Sequence, residues 1–128
     1  EMAQLSGVNL GTGRTATSIS AKSYNTCAVL DDGSVKCWGR NNYGELGIDN
    51  TTDMGDSPGE MVQLTGINLG TGRTATAIAI GQTHSCAKLD NGSVKCWGRN
   101  NMGQLGIDNT TDMGDDPGEM ASLPSVNL

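Results

Sequence analysis

The chain has 128 residues, 14 acidic against 8 basic side chains for a net charge of −6, 35% apolar residues, no Phe and 19 Gly. So small an apolar fraction argues against a large self-contained core, leaving close backbone stacking or other chains to supply burial. The acidic balance argues against nucleic acid as a partner, since phosphate readers need clustered Lys and Arg, and there is no apolar run of about 18 residues to span a membrane.

The chain repeats itself every 59 residues. Glu1-Met2 recurs as Glu60-Met61 and Glu119-Met120, and residues 1–59 and 60–118 agree without a gap at 43 of 59 positions. The organisation predicted is repeat 1 over 1–59, repeat 2 over 60–118 and a partial third repeat over 119–128, in a solenoid, a propeller or an array. A period of this size marks a unit that must stack on neighbours to bury its apolar face, and two units are few for that.

Residues 1–10 (EMAQLSGVNL), like 60–69 and 119–128, read as short edge strands. Thr15–Ala21 (TATSISA) and its counterpart Thr74–Ile80 (TATAIAI) mix small and β-branched residues without helical period, as a buried strand does. Next come two runs, Thr26–Leu30 and Ser34–Gly39, joined by Asp31-Asp32-Gly33, and the second repeat has the same hairpin around Asp90-Asn91-Gly92. Asp-Gly and Asn-Gly tips predict hairpins because Gly takes the positive φ that a turn with a bulge requires. Residues 40–59 are polar and Gly-rich, and read as a long loop.

The clearest chemistry is in the cysteines. With a three-residue tip, Leu30 faces Ser34, and counting outward puts Cys27 opposite Cys37 and Cys86 opposite Cys96. Opposed residues of a non-hydrogen-bonded pair approach to about 4.5 Å between Cα atoms, within disulfide reach. One disulfide per repeat would add about 2–3 kcal/mol by loop-closure entropy and implies an oxidising setting, secreted or at the cell surface. The alternatives are reduced, buried pairs or four zinc ligands; zinc prefers closer spacing, and His84 is not repeated.

The acidic loops come next. Asp49, Asp53, Asp56 and Glu60 recur as Asp108, Asp112, Asp115 and Glu119, with Asp116 added. Oxygen-rich loops of this kind can hold calcium, but Gly55 is misplaced for an EF-hand, and a solvated loop of Asx turns is the favoured reading, with no cofactor. Trp38 and Trp97, with Leu46, Ile48, Leu105 and Ile107, offer a binding patch as one reading; the favoured one puts Trp38, Trp97, Leu46 and Leu105 in the core between repeats, since they are among the few large apolar residues. Arg40-Asn41-Asn42 and Arg99-Asn100-Asn101 fit a structural loop network. Arg14 and Arg73 follow Gly-Thr-Gly but precede no helix, so they do not make a phosphate cradle. Catalysis finds no support: His84 occurs once, with Asn25 as its counterpart, and no nucleophile accompanies it. The repeats differ most over 18–26, where Lys22-Ser23-Tyr24-Asn25 stands for Gly81-Gln82-Thr83-His84.

The run from Cys27 to Gly47, and its copy from Cys86 to Gly106, with Trp-Gly-Arg-Asn-Asn-x-Gly-[Glu/Gln]-Leu-Gly at their ends, resembles the repeat of the regulator of chromosome condensation family. The resemblance implies an all-β fold of β-propeller blades, four-stranded and antiparallel, two per chain and incomplete without further blades. It places an inner strand near Thr15–Ala21, a hairpin of middle strands, and an outer strand supplied by 60–69 and 119–128. Residues 1–10 then belong to the outer edge of a preceding blade. The family includes a nuclear exchange factor, a plant ultraviolet receptor and a secreted β-lactamase inhibitor, so fold does not fix function. No motif here supplies the exchange-factor surface. A ring closed from two-blade chains alone has an even blade count, six or eight; otherwise the chain is an excerpt of a longer propeller. The function expected is a non-catalytic structural or protein-interaction scaffold, its partners other copies, further blades or another protein. The alternative is a secreted inhibitor covering an enzyme's active site with its loops.

Overall fold

The computed structural model describes residues 1–128. A 3-10 turn over Met2–Gln4 precedes strands β1 (Ala16–Lys22), β2 (Asn25–Leu30) and β3 (Val35–Gly39). A one-turn helix α1 (Glu60–Gln63) leads to β4 (Ala75–Ile80), β5 (His84–Leu89) and β6 (Val94–Gly98), and α2 (Glu119–Ser122) follows. The strands form two antiparallel sheets, β1-β2-β3 and β4-β5-β6, which are the two blades. No helix is long and apolar enough to cross a membrane.

The hairpin tips set the register. Leu30 N–H donates to the Ser34 carbonyl at 2.8 Å, and Gly33, at φ 79°, closes the turn by donating to the Leu30 carbonyl at 2.9 Å. Counting back from that tip pairs Val29 with Val35 and Cys27 with Cys37; in blade 2, Lys88 pairs with Val94 and Cys86 with Cys96. A bulge at Thr17, repeated at Thr76, lets the inner strand turn at its start.

The outer segment departs from the strand expected for 60–69 and 119–128, so each sheet has three strands rather than four. The cause is local. The Glu60 carboxylate accepts three backbone N–H groups, from Gly55 (2.8 Å), Asp56 (3.1 Å) and Ser57 (3.0 Å), and Glu119 does the same for Gly114, Asp115 and Asp116. A chain wrapped around a carboxylate enters a helical turn instead of a ladder. Only beyond the turn does it run extended along the blade, with Ile67 N–H donating to the Val35 carbonyl at 2.9 Å and Val126 N–H to that of Val94 at 2.8 Å.

Between the blades lies one core cluster of 14 residues. It takes Cys27, Val29, Val35, Cys37 and Leu46 from blade 1, Ala75, Ile78, Ala87, Leu89 and Trp97 from blade 2, and Ile67, Leu69, Met120 and Leu123 from the outer segments. Each blade alone is too thin to enclose apolar volume, so the core is the joint. Residues 1–10 have no blade to lie on, and Met2 and Leu5, which match the buried Met120 and Leu123, are 79% and 71% exposed.

Candidate functional site

The long polar loops are ordered from within by an asparagine hub. Asn41, fully buried, donates its N–H to Asp53 Oδ1 (2.7 Å) and its amide to the carbonyls of Asn50 (2.8 Å) and Thr52 (3.0 Å), while its Oδ1 accepts from Leu46 N–H (2.9 Å). Asn100 repeats the pattern with Asp112, Asn109 and Leu105. Such hubs fix a loop without regular structure because every buried polar atom finds a partner.

What the hub positions is the tip Gly44–Asp49, which docks on blade 2. The Glu45 carbonyl accepts from Trp97 Nε1 (3.1 Å) and from the Ser85 hydroxyl (2.9 Å). Gly47 lies under the indole, where a Cβ would stand 2.7 Å from Nε1, and Gly44 lies on the backbone of Gly114 and Asp115, where a Cβ would meet both at 2.5 Å. Close approach and positive φ both require glycine at these two positions. Asp49, at φ 57°, accepts from Met120 N–H (2.9 Å) and so caps α2 from the neighbouring blade. Nearer the blade axis Ala75 N–H donates to the Gly33 carbonyl (2.8 Å), and Ile80 N–H to the Ser20 hydroxyl (3.2 Å). The Arg99 guanidinium stands 4.6 Å from the centre of the Tyr43 ring.

Two acids at the joint are shifted. Burial pushes the Glu45 carboxyl up, against the pull of the Tyr43 N–H that it accepts at 2.6 Å. Asp115 is pushed up to about 6, first by burial and then by its hydrogen bond and charge repulsion with Glu119; Asp112 adds to this. The same pair in repeat 1, Asp56 and Glu60, lies in the open, and there Asp56 is raised first by its hydrogen bond with Glu60.

The expected site residues separate. Trp97 and Leu46 lie in the core between blades, and Leu105 is fully buried inside its own loop. Trp38 departs from the expected core position: nothing covers its face of blade 1, and it is half-buried in the wall of an open cavity of about 590 Å³ with Tyr24, Arg40, Asp53, Met54 and Asp56. Cys27 and Cys37 are joined (S–S 2.03 Å), as are Cys86 and Cys96 (2.09 Å). The acids considered for calcium do not converge in threes: Asp53 and Asp112 serve the hubs, Asp49 caps α2, and Asp56 and Asp115 pair with Glu60 and Glu119, while Asp108 is exposed. His84 opens β5, half-buried over Gly81, its pKa lowered by burial and by Lys22.

Sequence reasoning missed the Glu45 carbonyl and the Asp49 cap. Their signal was present in the shared Gly-x-Leu-Gly-Ile-Asp run of both repeats, whose glycines allow close approach.

Comparison with known proteins places this geometry. Models described as Regulator of chromosome condensation (RCC1) repeat match residues 16–45 and 75–104, and a second of the same description matches 32–87. Human "Probable E3 ubiquitin-protein ligase HERC3" is 33% identical over 99 residues, covering 77% of this chain and 9% of that protein. Mouse "Protein RCC2" is 33% identical over 116 residues, covering 91% and 20%. The chain therefore spans about a fifth or less of the length of these relatives. Among solved structures, yeast RCC1 (Prp20) bound to Kap60 superposes with a TM-score of 0.71 at 19% identity, covering 94% of this chain and 26% of that one. Human WBSCR16 superposes with a TM-score of 0.66 at 18% identity, covering 89% and 26%. The repeat matches from 16 to 104 and the shared blade fold agree, and the chain belongs to the regulator of chromosome condensation (RCC1) repeat family.

Proposed function

We propose that this chain is a non-catalytic protein-interaction scaffold, two propeller blades held by their disulfides in a secreted or cell-surface setting. Its open faces take protein, either other copies or further blades of a longer chain. One observation carries the reading: residues identical in both repeats are buried where the two blades meet and open to solvent on the two outer faces. Gly44, Gly47, Trp97, Ile78 and Met120 are buried, and their counterparts Gly103, Gly106, Trp38, Ile19 and Met61 are exposed or half-buried. A face shaped for a protein loop and left open is a docking surface. The solved relative described with "Binding Properties to Gsp1p and Histones" is itself a protein binder. The cross-linked hairpins support the oxidising setting. The test is a photo-cross-linker placed at Tyr24, 72% exposed beside the Trp38 cavity, in the native protein. A polypeptide adduct and no alkylatable thiol are expected. Free thiols, or a label quenched only by water, would overturn the reading.

A further inference from the structure

We infer that this chain binds a second copy of itself head to tail, the Gly103–Asp108 loop of one copy seated over Trp38 of the next. The inference rests on the scaffold reading and names its partner. The joint inside the chain is the template, because its giving loop and its receiving face both recur unused on the outside; only residues 1–10 of the incoming copy, the equivalent of 60–69, find their seat along blade 2 already held by 119–128 and must stay aside. Residues 99–108 differ from 40–49, the loop already docked, only in Met102 for Tyr43 and Gln104 for Glu45. Glu45 contributes to the joint through its main-chain carbonyl, so Gln104 serves equally.

On the receiving side Trp38 stands for Trp97, Thr26 for Ser85, Met61 for Met120 and Ala16 for Ala75. Shifting the joint by one repeat gives the contacts. Trp38 Nε1 and the Thr26 hydroxyl donate to the Gln104 carbonyl, Met61 N–H donates to the Asp108 carboxylate, and Ala16 N–H to the Gly92 carbonyl. Gly106 passes under the Trp38 indole and Gly103 rests on the backbone of Gly55 and Asp56. Ile19, 65% exposed, is then covered as Ile78 is. The contact is heterologous, since the giving and receiving surfaces belong to different blades, and it makes rings where the rotation closes and filaments where it does not.

Several changes make this joint weaker than the internal one, among them Ala21 in place of Ile80, which packs against the internal core. Met102 loses the cation–π contact of Tyr43, and Ala79 loses the hydroxyl of Ser20. Most of all, Lys88 stands exposed on the open face of blade 2 where blade 1 has Val29, 2% exposed in the core. Docking must therefore bury or bend aside a charged side chain. This predicts reversible, concentration-dependent association that Lys88→Val tightens.

Sedimentation velocity on the full chain across concentration tests this. Wild type is expected to give integer multiples of the monomer mass, and K88V to lower the dissociation constant at least about tenfold. Trp38→Ala removes the receiving surface. Gly103→Asn removes the giving one: a Cβ there meets nothing within 4 Å in the single chain, and Asn tolerates its φ of 71°. In the docked copy that Cβ would strike backbone, as one at Gly44 would. Each variant alone should stay monomeric, with affinity down at least about 30-fold. Mixed, they should form a one-to-one dimer and nothing larger, since only one working joint remains. If W38A fails to fold, G103N decides alone. G103N associating like wild type, or a wild type monomeric at every concentration, overturns the inference. A monomer that still cross-links through Tyr24 to a different polypeptide leaves the scaffold reading standing without it.

Discussion

Glu45 shows how one position can carry an avoidable cost. Its carboxyl is buried at the joint and held above its usual pKa by desolvation, so the folded chain binds that proton more tightly than the unfolded chain. The stability linked to it is present in acid and lost as pH rises through the raised value. Repeat 2 has the neutral solution: Gln104 Oε1 accepts from Met102 N–H at 2.8 Å, the bond Glu45 makes to Tyr43. Glu45→Gln should therefore stabilise the fold by about 0.5–1 kcal/mol at pH 7–8, with little effect near pH 4, measured by thermal melts at the two pH values. Equal shifts at both would refute the burial argument. At this scale the sequence was legible in identity and silent on environment. Trp38 and Trp97 sit in the same heptapeptide Ser-Val-Lys-Cys-Trp-Gly-Arg, yet one is core and the other lines a cavity, because burial depends on what packs alongside and not on local pattern.

Among elements, the hairpins were readable because turn chemistry is local: a Gly at positive φ after Asp-Asp or Asp-Asn fixes the register, and the register alone puts the cysteines face to face. The outer segment was not. EMVQLTGINL has no decisive period, and Glu60 looked like one more acid in an acidic loop; its function became visible only when three N–H groups were found converging on one carboxylate oxygen. That arrangement is worth testing by removal. Glu60→Ala and Glu119→Ala each release three backbone donors, with an expected loss of about 1–2 kcal/mol in denaturant unfolding. E119A should cost more, because α2 carries the fully buried Met120 while Met61 of α1 is half-exposed. The reverse order would mean that the turn is held by packing and not by the carboxylate.

For the whole molecule, modularity was legible and closure was not. The 59-residue period announced stacking units, and the blades do share one core at their joint. Two carboxyl pairs in the same chain differ chiefly in cover, besides Asp116 standing where repeat 1 has Ser57: Asp115–Glu119 lies under the neighbouring loop, and Asp56–Glu60 lies bare. Burial heads the causes that lift Asp115 to about 6, whereas Asp56, facing Glu60 and Asp53, is raised mainly by its partner acid. Covering Asp56 with another copy strengthens the burial contribution, so in mild acid each contact closed takes up protons from solvent. Polymerisation becomes acid-tightened, its dissociation constant nearly flat at neutral pH and falling by at most about tenfold per pH unit only as pH drops through and below the value of about 6 that covered Asp115 shows. Asp56→Asn should abolish that slope in sedimentation runs from pH 7 down to 4.5, and a wild type with no slope over that range would show that the pair stays wet in the assembly. A row of such contacts would behave as a titratable fibre, growing where its surroundings acidify and shortening where they do not.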